Sequence, residues 1–496
     1  MDFDRKKFFQ DILFSFLPPF FISLSGLVIM VFITKHIGSI GYGIWAQVKV
    51  TLSFGLGFLC LNFGGSLGRF LAGEKSKEYV SKVFSSVLFS VSILTVLAGV
   101  VFYLLRDDLS DFLFGNEKLG LIVLFLGILF VFQGLNRLNR GLLKARRYIK
   151  FWSIIESIGS VLLLIFIALS AVFTENIVIV IGSFVFLEIL FFLAFFIFIL
   201  KNEVKLVKPD FHSLVPLLKF GIPLLIVVMG YWIVQTSDRY IIKYFMDISW
   251  VGIYSVSYSF SFLISFLWGS FNTVLLADFS ALYDKKEKRE LEVRFSRVLK
   301  YGLAGSIPII VGIFILSEPL IKIFSSQEFI AAAPALVIIS ISMLFFGLLM
   351  HFANFLNILK KTKILSLIWI MMAILNIGLN FLFIPKIGII GAAYSTLISF
   401  LVGAVIVIVY SSQYFNIVFK KEWLIKIAIA ITIMGGVISL ISVHSFLTLT
   451  MTILTGVLFY GGTMFLLKFQ DRSELLLMRE VFPVNNFLKK NDKNNY

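Results

Sequence analysis

Residues 177–200 read IVIVIGSFVFLEILFFLAFFIFIL, an apolar run in which Glu188 is the lone charged residue. About twenty such residues, coiled as a helix, cross the ~30 Å hydrocarbon core of a bilayer. The run lacks the period-two alternation that a barrel lumen demands, and in lipid its backbone groups can bond only to one another. It is therefore a membrane helix. Comparable stretches lie near 12–34, 44–64, 83–105, 119–137, 151–173, 217–237, 251–277, 298–317, 333–357, 364–384, 388–411, 423–443 and 446–467. Their density accounts for a chain that is 59% hydrophobic and 15% charged, with a mean hydropathy of +0.98, values that exclude a soluble globular protein.

The charges set the topology. The N-terminal MDFDRKKFFQ places basic residues before an apolar run without a small-residue cleavage site after it, so the first run reads as a retained span rather than a signal peptide. With that end inside, the cytoplasmic segments hold 36 of the 44 Lys and Arg residues. The outside loops hold Lys35, Arg106, Lys118, Arg239, Lys243, Lys322 and Lys386, and Lys49 lies within a span. This asymmetry is the positive-inside pattern, and with an even span count it places both termini in the cytoplasm. The net charge of +16 thus reads as topology rather than as a nucleic-acid surface. The expected class is an all-α cell-membrane protein of about fourteen spans.

Every loop is too short to fold alone, so function must sit in the helix bundle. A membrane polymerase or ligase, which needs a large outside catalytic loop, fits poorly. The four histidines are scattered, no metal cluster or phosphate loop is present, and Cys60 has no partner for a disulfide. No cofactor is expected.

A weak repeat runs through the chain. Ile33-Thr34-Lys35 through Gly43-Ile44-Trp45 opens the second span, and Ile242-Lys243-Tyr244 through Gly252-Ile253-Tyr254 opens the eighth, six spans later. Gly388-Ile389-Ile390-Gly391-Ala392-Ala393-Tyr394 opens the twelfth with a related pattern. Equal orientation of the first two copies implies two parallel six-helix lobes. The expected units are an N-lobe at 1–200, a cytoplasmic linker at 201–216, a C-lobe at 217–411, two added spans within 412–467 and a cytoplasmic tail at 468–496. Pro18-Pro19 in the first span and Gly221-Ile222-Pro223 in the seventh are expected to kink matching helices.

Lys219-Phe220-Gly221-Ile222-Pro223, Ser237-Asp238-Arg239-Tyr240-Ile241-Ile242 and Val251-Gly252-Ile253-Tyr254-Ser255 resemble the polysaccharide biosynthesis exporters of the Wzx type. The Gly388–Tyr394 stretch and the loop Arg140-Gly141-Leu142-Leu143-Lys144-Ala145-Arg146-Arg147 resemble theirs as well. That family shares a superfamily with multidrug and toxic compound extruders (MATE) and lipid II flippases. The resemblance implies a MATE-like fold and a flippase, not an enzyme. Its substrate would be a polyprenyl-diphosphate-linked oligosaccharide such as an O-antigen or capsule repeat unit, moved by alternating access. A multidrug extruder and a lipid II flippase are the rival readings within the superfamily. Lipid-linked oligosaccharide and membrane lipids are the expected partners, with other polysaccharide assembly proteins as a further candidate.

Such a substrate asks for cations in a partly dehydrated cavity. Lys49, inside the second span, is the first candidate, with snorkelling to the interface as its alternative. Arg239 and Lys243, one helical turn apart, form either a cavity rim or an outer-end anchor. For the sugars the candidates are Tyr231 and Gln235 on the seventh span, Tyr254 and Tyr258 on the eighth, and Asn376 and Asn380 on the eleventh. Bonds between helices are the alternative role for each. Glu188, near the bilayer centre, is a candidate carrier of a coupling H⁺ or Na⁺, or else a structural partner. Asp238 is a second such acid, unless it serves to hold Arg239. Glu156 reads as an ion-pair partner for Arg146, Arg147 or Lys150.

Overall fold

A computed structural model describes residues 5–417 and 419–470, with the helical backbone alone at 5–13, 15, 16 and 271–278. Residues 471–496 of the expected tail lie outside the described residues. The helices are α1 (Arg5–His36), α2 (Gly38–Leu59), α3 (Phe63–Phe70), α4 (Lys77–Leu104), α5 (Arg106–Phe114), α6 (Gly120–Ala145), α7 (Ile149–Thr174) and α8 (Ile177–Asn202). They continue as α9 (Leu214–Phe245), α10 (Ile248–Asp284), α11 (Lys288–Phe324), α12 (Ala333–Ile358), α13 (Thr362–Ser412), α14 (Lys421–Ser439) and α15 (Phe446–Leu466). The fold is all-α, as expected.

Twelve of the helices are long and apolar enough to span a membrane, and the pair α2 and α3, bent by 51°, forms a thirteenth span. The 51 residues of α13 would reach about 76 Å as one rod, far more than one bilayer core. The helix breaks at Ile387–Gly388, where Gly388 has φ 59° and ψ −140°, a conformation costly for residues bearing a Cβ. Its limbs fold back so that Gly391 lies against the carbonyl of Phe383. Counting these limbs separately gives fourteen crossings among the described residues, the expected number. Contacts between chain-distant loops agree with the alternation. Ser39 meets Glu328, and Lys243 meets Asp111, on the face away from the chain ends. Arg146 meets Glu203 and the Glu74 carbonyl on the face that carries residues 5 and 470, called here the terminal face.

Within the first half α1 packs on α7, and α6 on α4 and α8; within the second, α9 and α12 pack on α13, and α10 on α12. The halves meet chiefly where α2 crosses α10. A Cβ on Gly43 would stand 1.9 Å from the Ile248 carbonyl oxygen, and one on Gly252 would stand 2.2 Å from that of Ser39. The two contacts are the same contact displaced by the sequence repeat, so the motif visible in the chain is a backbone-to-backbone seam. Around it the Glu328 carboxylate accepts from Ser39 N and Oγ, both at 2.8 Å, capping α2, and Tyr42 shares a hydrogen bond with Ser259. Toward the terminal face α3 is wedged between α6 and α9, with Gly141 against Gly64 and Gly221 against Leu61.

The helices continue through Pro18-Pro19 and through Pro223, and the 51° bend between α2 and α3 falls at Leu61-Asn62, both left-handed (φ 45° and 56°) and neither Gly nor Pro. The stretch Arg140–Ala145, expected as loop, is the last part of α6. The linker lies as an extended strap along α4, where Ser81, Ser85 and Ser86 hydroxyls accept from Lys205, Val207 and Asp210 backbone N–H groups. Lys82, 2.9 Å away, hydrogen-bonds the Asp210 carboxylate and holds its pKa below the ordinary value. That contact is intact above the ordinary carboxylate range and is lost as pH falls below it.

The seam leaves no room for a methyl group. Gly252→Ala is expected to destabilise the detergent-solubilised protein by about 1–3 kcal/mol, read as a lowered thermal midpoint. Gly461→Ala, inside α15 where a Cβ meets open space, is the control and should not lower it, since alanine is the better helix former.

Candidate functional site

Gln133, Arg137, Arg140 and Lys144 follow one another at helical spacing and so share a face of α6. That face borders two cavities. One, of about 400 Å³, is ringed by α1, α2, α6, α7 and α8 and lined by Ser25, Trp45, Lys49, Gln133, Arg137, Arg140, Glu156, Phe184 and Glu188. The other, of about 480 Å³, lies at the break between α2 and α3 and is lined by Cys60, Asn62, Arg137, Arg140 and Lys144, with Leu225 and Val228 of α9 closing it from the second half. Arg137 and Arg140 line both. By helix rise from the face opposite the termini, Lys49 lies about 16 Å deep, Arg137 about 26 Å and Arg140 about 30 Å. The cations thus form a ladder from the terminal face to mid-membrane.

Their partners differ. Arg140 Nε is 3.0 Å from the Glu156 carboxylate, so Glu156 pairs with Arg140 rather than with Arg146, Arg147 or Lys150. Glu188 accepts from Gln133 Nε2 at 3.0 Å and from Asn136 Nδ2 at 2.9 Å, which joins α8 to α6. Lys144 lies over the Trp152 ring at 4.0 Å. Lys49 is the one exposed residue between 41 and 52, with its Nζ 4.8 Å from the Phe184 ring and 5.8 Å from Trp45. Among the described residues neither Lys49 nor Arg137 has a hydrogen-bond or ion-pair partner. Two acids against three bases line the first cavity, and the second has bases only.

Arg239 stands elsewhere. Its guanidinium folds back on Asp238 at 2.9 Å and lies over the Tyr258 ring at 4.2 Å. Asp238 also accepts from the Tyr254 and Tyr258 hydroxyls at 2.6 and 3.3 Å, so the four form a closed knot joining α9 to α10. Gln235 gives its carbonyl to Arg239, and Tyr231 packs among Trp232, Phe346 and Trp369. Asn380 donates to Asn376, which accepts from Ser237 across to α9. Lys243 donates to the Asp111 carbonyl on the face opposite the termini. Of the residues singled out from sequence, then, Lys49, Glu156 and Glu188 line the first cationic cavity, Asp238, Arg239, Tyr254, Tyr258 and Asn376 join helices to one another, and the Gln235 carbonyl bonds within its own helix. Arg137, Arg140 and Lys144 escaped the sequence reading because hydropathy ends that span at 137. The 4-3-4 spacing that continues the helix was the available signal.

The chain belongs to the polysaccharide biosynthesis protein family, whose pattern matches residues 70–334. It is 24% identical over 264 residues to a "probable low-salt glycan biosynthesis flippase" of Haloferax volcanii, covering 52% of this chain and 56% of that protein. The chain spans about half the length of the curated relatives it matches. Among solved structures it is similar to the lipid II flippase MurJ in an inward closed conformation, with a TM-score of 0.77, 22% identity, and coverage of 92% of this chain and 99% of that one. It is also similar to a multidrug resistance MATE transporter in an inward-facing conformation, with a TM-score of 0.66, 14% identity, and coverage of 79% and 94%. At these identities the likeness is one of fold, and it bears out the expected MATE-like architecture.

The geometry predicts accessibility. In a Cys60→Ser background, Lys49→Cys and Arg137→Cys should react with a small water-soluble thiol reagent in intact membranes, while Asn376→Cys, buried between helices, should not. Equal labelling at all three positions would contradict the assignment of the water-filled space.

Proposed function

We propose that this protein is a flippase for a polyprenyl-diphosphate-linked oligosaccharide, moving it from the inner to the outer leaflet of the cell membrane. The observation that carries the reading is Arg137, a cation set among membrane helices with no protein partner among the described residues and shared by two cavities. A guanidinium so placed is stabilised by water or by an incoming anion, and its fork of donors matches a phosphate. Arg140 and Lys144 extend the contact toward the terminal face, which the basic loops mark as cytoplasmic. The lipid chain needs an apolar surface, and a cavity of about 680 Å³ between α10, α11, α14 and α15, lined by residues such as Leu263, Leu316, Ile453 and Val457, supplies one. The relatives named as flippases agree with this reading.

Transport follows by alternating access. In this conformation the α2–α10 seam and the Glu328 cap close the outer face; parting them opens the cavity outward while α3 and α9 remain in contact beneath. Glu188, the acid beside Lys49 in the first cavity, is the residue we assign to coupling with H⁺ or Na⁺. Asp238 is assigned to holding Arg239. A multidrug extruder for cationic compounds would need an excess of acids, and these cavities hold an excess of bases.

The test is transfer of a fluorescent short-chain polyprenyl-diphosphate sugar across proteoliposome membranes. A hydrogen bond to a charged group contributes about 1.5–3 kcal/mol, so Arg137→Ala should weaken binding about 10- to 100-fold and slow transfer at limiting substrate accordingly. Undiminished transfer by the variant would refute the assignment of Arg137, and efflux of cationic dyes without any lipid transfer would favour the extruder.

A further inference from the structure

The ladder of cations is longer than a diphosphate. The diphosphate is tethered to its lipid, so it stays near headgroup depth, at the level of Arg140 and Arg137. Lys49 lies about 10 Å farther into the membrane by helix rise, which places it level with the sugars that project from the diphosphate into the chamber. An ammonium is a compact, strongly hydrated charge, and the rings of Phe184 and Trp45 at 4.8 and 5.8 Å offset only part of the cost of holding it at mid-membrane, so an anion or water must complete its shell. The nearby acid does not pair with it, because Glu188 is bound to the amides of Gln133 and Asn136 and lies beyond ion-pair distance of Lys49. What flanks Lys49 instead is the pair Trp45 and Phe184, with ring centroids 5.4 Å apart. Aromatic faces suit the C–H face of a pyranose, and a single placed charge beside them fixes orientation and specificity.

We infer that the oligosaccharide carried by this protein is acidic, and that a sugar carboxylate of the uronic-acid type is bound by Lys49 against Trp45 and Phe184. This rests on the flippase reading above and narrows its substrate. A neutral sugar would leave the deep ammonium facing hydroxyls alone, whereas a carboxylate replaces its water with a charge-assisted hydrogen bond.

The experiment compares two probes, a short-chain polyprenyl diphosphate bearing glucuronate and its counterpart bearing glucose, for binding to the protein in lipid nanodiscs. The purified full chain should prefer the glucuronate probe by about tenfold, the effect of one such bond less its dehydration. Lys49→Arg, which keeps the charge, should keep the preference, and Lys49→Gln should bring the ratio of the two affinities close to one. A wild-type ratio near one, or a preference that survives Lys49→Gln, overturns the inference while leaving the flippase reading in place. Binding of neither probe above the level of polyprenol alone would remove the flippase reading itself, and the inference with it.

Discussion

A cation set among membrane helices must lie against an anion, a π face or water, and the first half of this protein is arranged around one that has no such partner among the described residues. Arg239 and Arg137 show the two outcomes. Arg239 is closed off by Asp238, Tyr254 and Tyr258, and in return ties α9 to α10. Arg140 is met by Glu156 on the neighbouring helix. Arg137 faces space on two sides: one cavity lies wholly within the first half of the chain, and the other is closed by Leu225 and Val228 of the second. The ladder from Lys144 to Lys49 continues that space into the membrane.

The seam lies toward the face away from the chain ends. Glycines at 43 and 252 bring α2 and α10 together without side chains between them, which lets small displacements part the helices with little repacking. The polar contacts around the seam, Ser39 with Glu328 and Tyr42 with Ser259, are few and local. On the terminal face the wedge of α3 is likewise held by glycine contacts and one Ser66 hydroxyl bond to the Leu217 carbonyl. Close glycine contacts thus occur at both faces of the bundle, beside buried apolar side chains such as Ile44, Trp45 and Val48 of α2 and Phe63 and Leu67 of α3.

Much of this was legible in the chain. The apolar runs marked the spans because lipid leaves the backbone no other choice, and the common spacing of the Gly43 and Gly252 motifs marked the repeat, though not that the two glycines would meet. The site was legible in part. Lys49 stood out as a charge inside an apolar run, but Arg137 and Arg140 sit where hydropathy fades, and there a helix with basic side chains reads as the start of a loop. For Arg239 the chain left two roles open, cavity rim or outer-end anchor, and two for Asp238, ion carrier or holder of Arg239; the structure pairs Arg239 with Asp238, a contact that helical spacing between adjacent residues does not decide. The bend at Leu61-Asn62 escaped for another reason, since neither residue is the Gly or Pro by which a break is read from sequence.

The central claim is that Arg137 receives the diphosphate of a lipid carrier. Its most direct test is an electron cryomicroscopy structure of the protein in nanodiscs with a bound polyprenyl-diphosphate sugar. The account predicts diphosphate density within hydrogen-bond distance of Arg137 and Arg140, with the sugar extending toward Lys49. Density lodged instead beside Arg239, or at the headgroups with both cavities filled by water alone, would contradict it.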